Sequence, residues 1–175
     1  MLVSVICPVL NGSKYIDKNI IKFFLKSDIN DKELIIIDGG SVDGTKSIVL
    51  NYIKKNSNIH LINNPHKYVP HALNIGIRYS KGKYIARLDV HTEYPENYLE
   101  ICLDLMKSTK ADNIGGTLIS LGASKKGKAI SYCMSSIFGV GNSTPRIKLF
   151  DGFVVYKDLH LIYCNVIELS KSIDF

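Results

Sequence analysis

Residues 33–45 read ELIIIDGGSVDGT, an apolar run that stops at Asp38 and passes through two glycines into a helix start. Glu33–Ile37 has no polar alternation, so it predicts a short strand covered on both faces. Gly39, Gly40 and Ser41 form the turn, and the glycines allow positive φ and close backbone approach to a ligand. Asp43 then opens a helix carrying Ile48, Val49, Tyr52 and Ile53, with Ser41 or Asp43 available to cap it. Such a cap leaves a helix N-terminus that favours anions.

The same unit recurs on either side. Upstream, Leu2–Val9 (LVSVICPV) is a buried strand, and Tyr15, Ile16, Ile20, Phe23 and Phe24 recur at helical spacing over residues 14–26. Downstream come a strand at 59–62, a helix at 70–79 with Pro70 in its first turn, a strand at 84–88 ending at Asp89, and a helix at 97–106. Strands alternating with helices of this length predict an α/β fold with a mostly parallel sheet. Ligands bind beyond the carboxyl ends of such strands. Three polar clusters fall there: residues 8–11, 38–41 and 89–91.

Composition narrows the class. The chain has 175 residues, 46% hydrophobic and 22% charged, which suits one domain with a real core. No apolar run is long enough to span a membrane, and no basic n-region precedes the first strand. The net charge is +6, but 19 of the 22 cations are Lys. With three Arg and no basic–aromatic face, nucleic-acid binding is not expected. With 24 Ile beside those lysines, a coding bias explains the charge as well as an anionic partner does. Cys7, Cys102, Cys133 and Cys164 form no CxxC pair, so reduced thiols and a cytoplasmic setting are expected.

Two clusters carry chemistry. If the chain is still extended after the fourth strand, Asp89 and His91 point to one side and can share a divalent cation; otherwise Asp89 merely caps a turn beside an exposed His. Asp38 could accept hydrogen bonds from a base or ribose, or simply close a tight turn. Walker A, G-x-G-x-x-G and G-x-S-x-G motifs are all missing.

The ordered set SVICPVLNG, ELIIIDGGSVDGT, NNPHKYVPHALNIGI, KGKYIARLDVHTEYP and FGVGNSTPR resembles the family 2 glycosyltransferases with the GT-A fold, nearest the succinoglycan-biosynthesis type. It runs from about Leu2 to Arg146. The resemblance implies a three-layer sandwich that binds a nucleotide-diphosphate sugar. By motif position Pro8, Leu10, Asn11, Asp38 and Gly39 belong to the nucleotide pocket, and Asn74 begins a flanking helix. Asp89 and His91 fall on the metal-binding D-x-D position, which implies Mn²⁺ or Mg²⁺. Two departures stand out. His91 replaces the second acid of that motif, and Gly39 stands where many relatives carry an Asp that contacts the base. The implied reaction is inverting transfer to a glycan or lipid-linked acceptor, serving polysaccharide or cell-envelope synthesis.

The family's general base follows the G-V-G-N-S region, yet no E-D pair follows Gly139–Ser143 here. The catalytic base is therefore unassigned. The tail is also distinct: residues 1–150 carry +8 and residues 151–175 carry −2. The expected organisation is a nucleotide-sugar-binding domain over 1–150 and a divergent tail over 151–175, not a separate domain. Truncation or a frame-shift would explain that tail, as would a divergent strand and helix. The rival functions are a remnant that binds nucleotide-sugar without efficient turnover, and a nucleotidyltransferase, which lacks its Gly-rich basic loop after the first strand. Residues 125–138 (KKGKAISYCMSSIF) predict a helix with a basic start, either solvated or facing a membrane surface. Peripheral association with the inner face of a membrane is the matching expectation.

Overall fold

The computed structural model describes residues 1–109, 111–116, 122, 124–134, 136 and 165–168. Two compact units are present: Met1–Ile114 with Leu161–Phe175, and Gly115–His160. The expected boundary at residue 150 falls inside the second unit. In that unit the described helix is α5 (Lys125–Met134), which realises the basic-start helix; residues 137–138 lie outside the described ones.

The first unit holds β1 (Val3–Val9), α1 (Phe23–Lys26), β2 (Lys32–Asp38), α2 (Thr45–Ile53), β3 (Ile59–Asn63), α3 (Val69–Tyr79), β4 (Tyr84–Arg87), α4 (Tyr98–Ser108) and a late strand, Asn165–Glu168. With β5 (Asn113–Gly115) before it, that strand is β6, and the sheet order is β3-β2-β1-β4-β6-β5. β1 pairs in parallel with both β2 and β4, and β2 with β3, so β1 is central. β6 closes the far side of β4 in antiparallel register, Ala86 opposite Val166. The four-stranded parallel centre is the α/β arrangement that the alternation of elements predicts. A strand within the tail is one of the two expectations for it, and one stands at Asn165–Glu168, although no residue pattern marks its position.

Side-chain alternation on the central strands explains the layers. Val5, Cys7 and Val9 of β1 and Leu34 and Ile36 of β2 pack with Ile20, Phe24, Val49 and Leu103 on one face. Ile6, Ile35, Ile37 and Ile85 face the other way, onto Ala72 and Leu73 of α3. Ile35, Ile36 and Ile37 are at most 1% exposed. Burying each contributes about 1.5–3 kcal/mol, which is why the run carries no polar residue. Gly76 lets α3 come close, since a Cβ there would sit 3.0 Å from Ile6 Cγ2 and Ile37 Cδ1.

The segment expected as one helix over 14–26 is a π-helix over Ile16–Lys22 running directly into the single turn of α1. π-Helical turns are uncommon and cluster at functional sites. Its buried Ile16, Ile20 and Ile21 join the core with the strands, and Asn19 is buried beside them. The carbonyls at the end of α1 are satisfied by Lys32, whose Nζ donates to Phe24 O at 2.7 Å and Ser27 O at 2.6 Å.

Opposite the carboxyl ends of the strands, a buried clasp joins β1 to the α3–β4 connection. Ser4 Oγ donates to Glu33 Oε1 at 2.6 Å and accepts the Gly82 N–H at 2.8 Å. The Lys81 N–H donates to the same Glu33 oxygen at 2.8 Å. Gly82 has no room for a side chain, because a Cβ would lie 2.5 Å from Ser4 N.

Candidate functional site

The loops after β1 and β2 are stitched together by four hydrogen bonds. Asn11 N–H donates to Ser41 Oγ at 2.8 Å, and Val42 N–H donates to Asn11 Oδ1 at 2.9 Å. Gly12 N–H donates to Thr45 Oγ1 at 2.9 Å, and Ser13 N–H to Asp43 Oδ2 at 2.9 Å. Asn11 adopts φ +52°, a conformation Asn tolerates better than most residues. Asp43 lies just before Gly44, the N-cap of α2, and its Oδ1 accepts from the Thr45 backbone at 3.1 Å and from the Thr45 hydroxyl. Gly44, at φ +93°, makes that entry, so the helix begins two residues later than Asp43 itself. The Thr45 hydroxyl first, then the Ser13 and Thr45 backbone, hold the Asp43 carboxyl well below the usual carboxylate range.

Asp38 is the buried anchor of the turn. Its Oδ2 accepts from Gly40 N–H at 2.8 Å and Ser41 N–H at 3.0 Å, and Lys46 Nζ lies 3.3 Å away. The side chain is 1% exposed. Burial would raise its pKa; bonds from Ser41, Gly40 and Lys46 outweigh burial and hold the carboxyl low. Asp38 and Asn11 thus shape the site from behind.

A cleft of about 340 Å³ opens at the carboxyl ends of β1, β2 and β4. Pro8, Leu10 and Gly39 line it from the ends of β1 and β2. Asn64 and Lys67 line it from the β3–α3 connection, Val69 from the first position of α3, and Asp89, Val90 and His91 from the turn after β4. A Cβ at Gly39 would stand 3.3 Å from Lys67 O, so the bare backbone there lets the connection come in close. Asn74, expected to begin the flanking helix, lies in its middle, because α3 starts at Val69; it is exposed and does not line the cleft.

Asn64 and Lys67 are polar cleft residues outside the set of site residues that the sequence motifs pick out. Asn64 is 1% exposed. Its Oδ1 accepts from His66 N–H at 3.2 Å and its Nδ2 donates to Tyr68 O at 3.0 Å. Its own N–H donates to Asp38 O at 2.8 Å, so the connection is tied to the end of β2. Lys67 sits at φ +64° and makes no ion pair among the described residues. The Asn-Pro pair signalled the end of β3; nothing local signalled a cation folded over Gly40.

Asp89 and His91 both border the cleft, but not on an extended strand. β4 ends at Arg87, and Thr92 N–H donates to Asp89 O at 3.0 Å, which makes residues 89–92 a turn. Asp89 N–H donates to Tyr94 Oη at 2.8 Å. Arg87 Nη2 pairs with Asp89 Oδ1 at 3.2 Å, leaving Oδ2 without a hydrogen bond among the described residues. The exposed His91 imidazole meets the Tyr15 ring edge-on, centroids 5.0 Å apart. One carboxylate oxygen and one imidazole suit a borderline divalent ion. Among the described residues no third His, Cys, Asp or Glu joins them. The pair therefore fits a cation completed by ligand oxygens and water, not a closed protein cage. Of the acids that follow Gly139–Ser143, Glu168 stands in β6, while Asp151, Asp158 and Asp174 lie outside the described residues. No helix among the described residues is long and apolar enough to cross a membrane.

The succinoglycan biosynthesis protein ExoA of Rhizobium meliloti is 27% identical over 144 residues, 81% of this chain and 44% of its own length. A chondroitin synthase of Escherichia coli is 33% identical over 103 residues, 59% of this chain and 15% of its own. The chain thus spans less than half the length of these relatives. Among solved structures, the mannosyltransferase PcManGT from Pyrobaculum calidifontis in complex with GDP-Man and Mn²⁺ superposes with TM-score 0.60 at 19% identity, covering 73% of this chain and 37% of its own. S. aureus TarS 1–349 in complex with UDP-GlcNAc gives 0.58 at 21%, covering 71% and 37%. The fold is accordingly the GT-A fold of nucleotide-sugar transferases. The family model described as glycosyl transferase family 2 matches residues 4–164, past the Arg146 to which the motifs carry the resemblance, and the chain belongs to that family.

Proposed function

We propose that this chain binds a nucleotide-diphosphate sugar in the cleft beyond β1, β2 and β4 and takes part in inverting sugar transfer to a glycan or lipid-linked acceptor. One observation carries the reading: the turn after β4 brings Asp89 and His91 to a cleft whose lining includes Pro8, Leu10, Gly39 and Lys67. Pro8, Leu10 and Gly39 offer the nucleoside an apolar, close-fitting surface. Asn11 and Asp38 hold that surface in shape through the stitched loops. Lys67 supplies positive charge without a carboxylate partner among the described residues. Asp89 and His91 would hold Mn²⁺ or Mg²⁺, which when bound supplies positive charge to a departing diphosphate. Fixing the donor there leaves one face of the anomeric carbon for the acceptor hydroxyl, and that positioning removes part of the barrier. Polysaccharide or cell-envelope synthesis at a membrane surface is the setting this reading favours.

Calorimetric titration of UDP and GDP, with and without Mn²⁺, tests it. Binding that strengthens with Mn²⁺ and loses that gain in Asp89→Ala and in His91→Ala supports the donor site. Equal binding with and without the metal removes the role of both residues. No binding of either nucleotide by folded protein overturns the reading.

A further inference from the structure

The turn that carries Asp89 and His91 is held from one side by the π-helical segment. Asn19, 6% exposed, donates from Nδ2 to Val90 O at 3.3 Å. Lys18 Nζ reaches Glu93 Oε1 at 3.1 Å. Gly12, just before the segment, packs so closely that a Cβ would lie 3.1 Å from Val90 Cγ2. Tyr15 heads the segment, its backbone N–H donating to Gly12 O at 2.9 Å. Its ring packs against the core and meets His91 with the two planes 79° apart. Lys14 Nζ lies 5.2 Å from the centroid of the same ring.

His91 needs such a neighbour. It is exposed and makes no hydrogen bond among the described residues, so no hydrogen-bond acceptor fixes its ring as acceptors fix most metal-binding imidazoles. The edge contact with Tyr15 is what restricts the imidazole plane, and edge-to-face ring pairs of this spacing are favourable beyond simple burial. The Tyr15 hydroxyl has no hydrogen-bond partner among the described residues, so the ring acts alone.

We infer that Tyr15 is a positioning residue for His91, orienting its imidazole toward the cleft for a divalent cation. The inference rests on the reading of Asp89 and His91 as the cation's protein ligands. It is tested in two ways on the full chain. In metal-free protein, nuclear Overhauser contacts between the Tyr15 and His91 rings are expected, and Tyr15→Leu shifts and broadens the His91 ring resonances. Titrated with Mn²⁺ in the presence of GDP, Tyr15→Leu binds the ion about tenfold more weakly, the lower end for losing a residue that orients a ligand. Tyr15→Phe restores both signals, and in a His91→Ala background Tyr15→Leu has no further effect.

Absence of ring–ring contacts in the unmutated protein overturns the inference, and that measurement needs no variant to fold. So does a Tyr15→Leu affinity within twofold of wild type, or an equal loss in the His91→Ala background. If Asp89→Ala and His91→Ala themselves leave Mn²⁺ binding unchanged, the cation site falls and the role of Tyr15 with it. If those two lose the ion while Tyr15→Leu keeps it, only the role of Tyr15 falls.

Discussion

Replacing Asp38 by Asn keeps the shape of the side chain and removes its charge. In the folded chain the amide oxygen takes the Oδ2 position, where the Gly40 and Ser41 N–H groups converge at 2.8 and 3.0 Å. Hydrogen bonds to a charged acceptor contribute about 1.5–3 kcal/mol and neutral ones about 0.5–1.5, so these two weaken by roughly 1 kcal/mol each. The Lys46 pair is also lost; Lys46 is 44% exposed, so solvent screening keeps that loss at or below about 1 kcal/mol. The expected destabilisation is about 2–3 kcal/mol at pH 7, a shift of roughly 1 M in the urea midpoint with unchanged slope. The sign with pH follows from a folded-state pKa held below the ordinary value. The stabilisation is fully present above the unfolded pKa of about 4 and is lost as pH falls through the folded pKa. The wild-type and Asp38→Asn midpoints should therefore converge as pH falls through that lowered folded-state pKa. Equal midpoints at pH 7 would refute the anchoring role, and a gap that persists unchanged into acid would show that charge is not its source.

Other outcomes follow from the same structure. Ile36→Ala, at a fully buried position in the central run, should cost about 2–5 kcal/mol in the same urea assay. Gly82→Ala pushes a methyl onto the Ser4 backbone and should destabilise at least as much as a typical overpacked site, about 1–3 kcal/mol, with Gly44→Ala, where nothing lies within 4 Å, losing less from contact and only from its φ of +93°. Lys67→Ala should weaken GDP and UDP binding by about tenfold at low salt and less at high salt, and a salt-independent loss would argue against a charge role. Alkylation of native protein should reach the exposed Cys133 and spare Cys7 and Cys102, both buried, the Cys102 thiol being pushed by burial up to about 11; rapid native labelling of Cys102 would contradict its packing.

The central fold could be read because its signal is local. The apolar runs at Val3–Val9 and Lys32–Asp38 need no partner to be recognised as doubly covered strands, and their ends fall within a residue of the expected ones. The last strand was less visible, because Asn165–Glu168 owes its conformation to the edge of β4, 80 residues earlier. The π-helical register over Ile16–Lys22 has the same apolar spacing as an α-helix and leaves no distinct pattern. At the site, Pro8, Leu10, Gly39, Asp89 and His91, all at or just beyond strand ends, line one cleft. What spacing could not tell was which polar groups turn inward. Asp38 and Asn11 spend their hydrogen bonds on neighbouring loops, and Asn64 draws Lys67 over the glycine turn through contacts to the end of β2.

The antiparallel cover that β6 gives to β4 has a consequence during synthesis. β1 and β4 are both made within the first half of the chain, but the strand that pairs with the outer side of β4 is translated only at residues 165–168. At roughly 5–20 residues per second, the ribosome needs several seconds to travel from Arg87 to Asn165. Throughout that interval the nascent sheet presents Tyr84–Arg87 as an open, apolar edge, the kind that recruits strands from other chains. Slower translation across residues 90–160, or removal of 165–168, should therefore raise aggregation without altering any residue of the cleft.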